Sequence, residues 1–71
     1  MKFYAYEIAY EDSYLMFVGE DEQKVNEKLN EDTKEEGEEP ETIAYGTVEA
    51  DDIEQALDKV RFGQWEYSQL V

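Results

Sequence analysis

Seventy-one residues make one small domain, of a size that buries only about 60% of the surface its unfolded chain exposes. With 20 acidic residues against 6 basic ones the net charge is −14, the wrong sign for direct nucleic-acid binding, which draws its affinity from Lys and Arg against phosphates. The absence of cysteine and histidine excludes a disulfide framework and the usual zinc constellations, so apolar contacts must hold the core unaided.

High charge with few apolar residues would signal disorder. Here apolar residues reach 41% and aromatics 14%, and they fall in patterned runs, so the chain is expected to fold. No stretch approaches the ~18 apolar residues of a membrane span, and the N-terminus lacks a signal-peptide pattern. The expectation is a complete cytoplasmic product that does not engage membranes.

In chain order, residues 2–10 place Tyr4, Tyr6, Ile8 and Tyr10 on one face and Phe3, Ala5, Glu7 and Ala9 on the other, the period of two that marks a strand. Glu11, Asp12 and Ser13 form a polar turn, and Tyr14–Val18 return as a second strand, closing a hairpin. That strand is almost wholly apolar, which predicts a central place in the sheet. Gly19 ends it, and Glu20, Asp21 and Glu22 put negative charge where a helix N-terminus favours it. Val25 and Leu29 mark a thin apolar stripe on a helix over about 21–34, predicted to be mostly solvated and loosely docked.

Residues 31–41 contain seven acids, one lysine and no apolar residue, and read as an acidic mobile loop or a frayed helix end punctuated by Gly37 and Pro40. Residues 42–49 form a third strand, whose small Ala44 and Gly46 would let a helix approach closely. The second helix is the best specified. Asp51 is expected as its N-cap with Glu54 three residues on, Ile53, Ala56, Leu57 and Val60 follow at helical spacing, and Gly63 suits the position just past its end. Residues 64–71 alternate again as a fourth strand. The fold class expected is α+β: a small, mainly antiparallel sheet with helices on one face, in the order β-β-α-β-α-β, with no internal repeat.

Catalysis finds little support in the residues. Carboxylates, lysines and tyrosines are the only candidate bases, and Ser13 and Ser68 are the only serines. A carboxylate pair could hydrolyse a glycoside, but with 20 acids such pairs arise by chance, and so small a domain has little room for a deep pocket. A calcium loop fails too. Counting from Asp32, Gly37 falls at the sixth position as an EF-hand requires, but Lys34 occupies the third and Ile43 the last ligand position. No catalytic residue, metal ligand or cofactor is assigned.

Reversing the sign of the DNA argument gives the leading functional expectation. One strand of B-DNA carries a charge every ~3.4 Å of axis, and carboxylates at helical spacings of three and four residues lie ~5–6 Å apart. The segment from Glu20 to Glu41 holds eleven acids (Glu20, Asp21, Glu22, Glu27, Glu31, Asp32, Glu35, Glu36, Glu38, Glu39 and Glu41) and three lysines, a net −8 of the total −14. Such density suits docking into a basic groove and fast, steered association.

In size, in the Glu20–Glu41 acidic density and in its single α+β domain, the chain resembles small acidic proteins that phages and mobile elements make against host DNA-handling machinery. Some anti-CRISPR and anti-restriction proteins of that class are DNA mimics. The resemblance implies a non-enzymatic inhibitor or modulator in the host cytoplasm. Its partner would be a basic nucleic-acid-binding protein such as a nuclease or a CRISPR or restriction complex.

Three alternatives stand beside it. Acidity can serve solubility alone, as charge runs usually do. It can reflect halophilic adaptation, although five of the six basic residues are lysine and aromatics are abundant. Finally, the chain can be a regulatory interaction protein, or a homodimer, that binds through an exposed tyrosine face made by Tyr4, Tyr6 and Tyr10, since exposed tyrosine is enriched at binding hot spots.

Overall fold

Alternating apolar and polar residues give strands, and helical spacing gives helices, where the sequence places them. A computed structural model contains β1 (Lys2–Ala9), β2 (Tyr14–Gly19), α1 (Glu22–Glu35), β3 (Thr42–Glu49), α2 (Ile53–Arg61) and β4 (Glu66–Gln69). The structure describes residues 1–35 and 39–70. The α+β class and the order β-β-α-β-α-β are as expected. The four strands form one antiparallel sheet in the order β2-β1-β3-β4.

Two expectations about the layers are corrected. Strand β2 is not central but forms one edge of the sheet. The helices also do not share a face. Phe3, Ala5, Val18, Ala44 and Val48 pack with Ala56, Val60 and Trp65, whereas Tyr6, Ile8 and Tyr10 pack with Val25 of α1. Successive residues of β1 thus belong to different clusters, because side chains alternate across a pleated strand. The sheet is the middle layer of three. Both helices contact β2. That explains its composition: an edge strand covered on both faces needs apolar residues on both, as a central strand does.

Helix α1 extends to Glu35, close to the expected bound, so the acidic run opens as the last turn of this helix. Its docking is firmer than the thin stripe implied. Val25 is only 1% exposed, Leu29 packs beside it, and the Tyr6 hydroxyl donates a hydrogen bond to the Asp32 carboxylate from below. Asp21 caps its start, accepting from the backbone N–H groups of Gln23 (3.0 Å) and Lys24 (3.3 Å).

The N-cap of α2 is Asp52 and not Asp51. Asp52 has extended backbone, and its carboxylate accepts from the Gln55 N–H at 2.8 Å. Asp51, one residue earlier, instead donates its own N–H to the Gln55 side chain at 2.7 Å. The two acids are adjacent, and spacing alone assigned the role to the wrong one. At the other end Gly63 adopts φ 73° and donates to the Val60 carbonyl at 3.1 Å, the left-handed exit expected of it.

Gly46 serves a different neighbour from the one anticipated. A Cβ built there would lie 1.9 Å from the Glu66 carbonyl oxygen and 2.6 Å from the Tyr67 Cα, so it admits the backbone of β4 and not a helix. This close approach carries the chain from Trp65, 9% exposed and stacked on Tyr67 with ring centroids 4.8 Å apart, into the open edge strand β4.

Candidate functional site

The acidic segment singled out by sequence divides into residues that hold the fold and residues that face outward. Asp21 caps α1. Asp32 is largely shielded; it accepts the Tyr6 hydrogen bond and lies 3.6 Å from the Lys28 ammonium. Burial first, and then this bond to a carboxylate, push the Tyr6 hydroxyl well above the usual tyrosine range, so it stays a donor. Glu20, Glu22, Glu27, Glu31, Glu39 and Glu41 are exposed, and among the described residues none of them makes an ion pair. Glu36 and Glu38 lie outside the described residues, and of Glu35 the structure describes only its place at the end of α1.

Charge is less concentrated on the helix than the run suggested. Between Glu22 and Glu35 five acids alternate with Lys24, Lys28 and Lys34, leaving a net −2, so most of the segment's excess lies before and after α1. The fold then adds acids that the linear run did not contain. The Tyr10 backbone N–H donates to the Ser13 carbonyl at 2.8 Å to close the hairpin turn, and Glu41 donates its N–H to the Ala9 carbonyl at 2.7 Å. Glu11 and Asp12 therefore share one end of the sheet with Glu39 and Glu41. A hairpin register was the signal that could have found them: strands meeting at Ala9 and Thr42 bring both turns to the same end.

The opposite end is mixed in sign. Glu49 lies 3.3 Å from the Met1 ammonium, and Lys59 donates to the Glu49 carbonyl at 2.7 Å. Here Lys2, Glu49, Lys59, Gln64, Trp65 and Glu66 border an open depression of about 430 Å³. A second, of about 360 Å³, lies along β3 and β4 by Tyr45 and Tyr67. Among the described residues no three acidic side chains come together as a metal site would require, and no helix is long and apolar enough to cross a membrane.

The tyrosine face proposed as the alternative binding surface is corrected by α1. Tyr6 is fully buried and Tyr10 is 5% exposed, both clustered with Val25. Tyr4 is half-buried, with the Lys2 ammonium 5.6 Å from its ring centre. Alternation predicted correctly that these rings share a face; only the fold shows that a helix covers it. The exposed aromatics are Tyr14, Phe62 and Tyr67. Tyr14 donates its hydroxyl to the Glu7 carboxylate across the hairpin.

Among the described residues the salt bridges are three: Met1–Glu49, Lys28–Asp32 and Arg61–Asp58. Compared with known proteins, the chain matches no family model, no curated protein and no solved structure.

Proposed function

We propose that this chain is a non-catalytic binding protein that occupies the basic groove of a nucleic-acid-processing protein, its carboxylates standing where DNA phosphates would. One observation carries the reading. Glu11, Asp12, Glu20, Glu22, Glu27, Glu31, Glu39 and Glu41 are exposed and enter no ion pair among the described residues. A net −14 on so small a body repels itself, which opposes the compact state. Acids needed only by the fold, such as Asp21, Asp32 and Asp52, are already engaged. The exposed remainder form no salt bridge among the described residues and are available to an external basic surface.

This use of carboxylates is that of the DNA-mimicking anti-restriction and anti-CRISPR proteins, and such a partner would place the chain in the cytoplasm, the host's if a phage encodes it. Contact would centre on the end carrying Glu11, Asp12, Glu39 and Glu41 and on the outer face of α1. The test is charge reversal at that end. Glu11, Asp12, Glu39 and Glu41 to Lys leaves every buried residue in place, and affinity-captured partners should be lost while the melting curve persists. Single reversals should be nearly silent, since an exposed ion pair contributes only ~0.2–1 kcal/mol. Unchanged capture by the quadruple variant would leave acidity as a solubility device.

A further inference from the structure

The edge of the sheet at β2 offers a second surface, different from the acidic end and with its own chemistry. Tyr10 bonds to Ser13, and from there the register runs through Ala9↔Tyr14 to Tyr4↔Gly19. Antiparallel pairs alternate between hydrogen-bonded and non-bonded. Ile8–Leu15, Tyr6–Phe17 and Tyr4–Gly19 are therefore the bonded pairs. It follows that the N–H and C=O groups of Tyr14, Met16 and Val18 point away from β1, where the sheet has no further strand among the described residues. Natural edges are commonly blunted by a charged residue, a proline or a bulge. Strand β2, Tyr-Leu-Met-Phe-Val-Gly, carries no charge and no proline, and its register is unbroken.

What brackets this strand specifies what it can take. Glu11 and Asp12 precede it, and Glu20, Asp21 and Glu22 follow. Lys28 reaches over the Phe17 ring, 5.4 Å from its centre, and is neutralised by Asp32, while Arg61 is paired with Asp58 at 3.2 Å. A second copy is a poor occupant. Pairing β2 with itself about Met16 sets Asp12 of one chain opposite Glu20 of the other at both ends, and like charges directly opposite destabilise a ladder. A strand with cations at those two places gains attraction at both.

We infer that β2 takes up an extended segment of a basic partner, apolar over the length of β2 and carrying Lys or Arg at each end, as an added antiparallel strand. Main-chain bonds to Tyr14, Met16 and Val18 supply the affinity, and the acidic brackets select the partner. This goes beyond the groove-occupying role and does not depend on it, because the partner's own activity plays no part.

The experiment uses the wild-type protein and three synthetic peptides: alternating Val and Thr flanked by two Lys at each end, the same core flanked by Glu, and the Lys-flanked peptide N-methylated at alternate positions. Hydrogen exchange is followed by NMR residue by residue. With the Lys-flanked peptide the Tyr14, Met16 and Val18 amides should slow by about tenfold or more. The Glu-flanked peptide should bind about tenfold or more weakly, several exposed ion pairs being exchanged for repulsions, and the N-methylated one should not protect these amides. Changing exposed Asp12 and Glu20 to Lys should reverse the preference between the Lys- and Glu-flanked peptides. The inference is overturned by unprotected edge amides at saturating Lys-flanked peptide, or by protection confined to Tyr67 and Gln69 on β4. It is equally overturned by protection that rises with protein concentration without peptide, which would make a second copy the occupant.

Discussion

Replacing Gly46 with alanine tests how the second half of the sheet is built. The added Cβ would stand 1.9 Å from the Glu66 carbonyl oxygen, 2.6 Å from the Tyr67 Cα and 2.8 Å from the Glu66 carbonyl carbon. All three are backbone atoms, so no side-chain rotation relieves the clash. To reach even a 3.0 Å separation from that oxygen β4 must retreat by about 1.1 Å, which stretches bonds such as Leu70 N–H to the Ile43 carbonyl, now 2.6 Å, beyond hydrogen-bonding range. Overpacking of this kind costs ~1–3 kcal/mol while the strand stays docked. Release of β4 forfeits a few ladder bonds at ~0.5–1.5 kcal/mol each. Freeing the buried Trp65 side chain adds about 1.5–3 kcal/mol more. Against a total near 0.05–0.15 kcal/mol per residue, either route is a large fraction of the stability. Trp65 is the only tryptophan, so its emission reports on this region alone. Urea unfolding followed by fluorescence should show a lowered midpoint and, before the transition, emission shifted to the red. A Gly46→Ala protein with unshifted emission and the wild-type midpoint would refute the close approach of β4 to β3.

The remaining predictions concern a cap, alkaline pH and salt. Asp52→Ala should destabilise the domain by about 1 kcal/mol in chemical denaturation while Asp51→Ala costs clearly less, because only Asp52 accepts from the helix N-terminus. Tyr6, Tyr14 and Tyr45 hold their protons more tightly when folded than the ordinary value of 10.0, with burial the first cause for each. Their contribution is therefore complete below about pH 10 and is lost as the pH rises further, so melting temperature should fall steeply on the alkaline side. Finally, the melting temperature should climb between low and moderate salt as screening relieves the repulsion among exposed carboxylates, whereas a flat response would mean they are spaced widely enough not to strain the fold.

Local pattern was legible wherever one physical cause acted on one segment. The period of two in residues 2–9 and the Ile53, Ala56, Leu57, Val60 spacing mark elements that the structure places there. Edges and layers were not legible, because two causes produce the same composition. An apolar Tyr14–Val18 fits a central strand, and it also fits an edge strand roofed by two helices. Small Gly46 fits an approaching helix, and it fits an approaching backbone. The tyrosines of β1 could be assigned to one face by alternation, but whether that face is wet depends on where α1 lies, and its two-residue stripe of Val25 and Leu29 hid the help that α1 receives from Asp32. In the candidate site the linear acidic run was visible, while Glu11 and Asp12 join Glu39 and Glu41 only through the pairing of β1 with β3.

The central claim is that exposed carboxylates of this chain take the place of phosphates in a basic groove. Competition measures it most directly: a partner captured from host lysate is held on the immobilised protein and challenged with increasing duplex DNA. The account predicts displacement by the duplex, reciprocal loss of the partner's DNA binding when the acidic protein is added, and steep weakening of both complexes with salt. A partner that binds duplex DNA and this protein at the same time, with an affinity indifferent to salt, would contradict it.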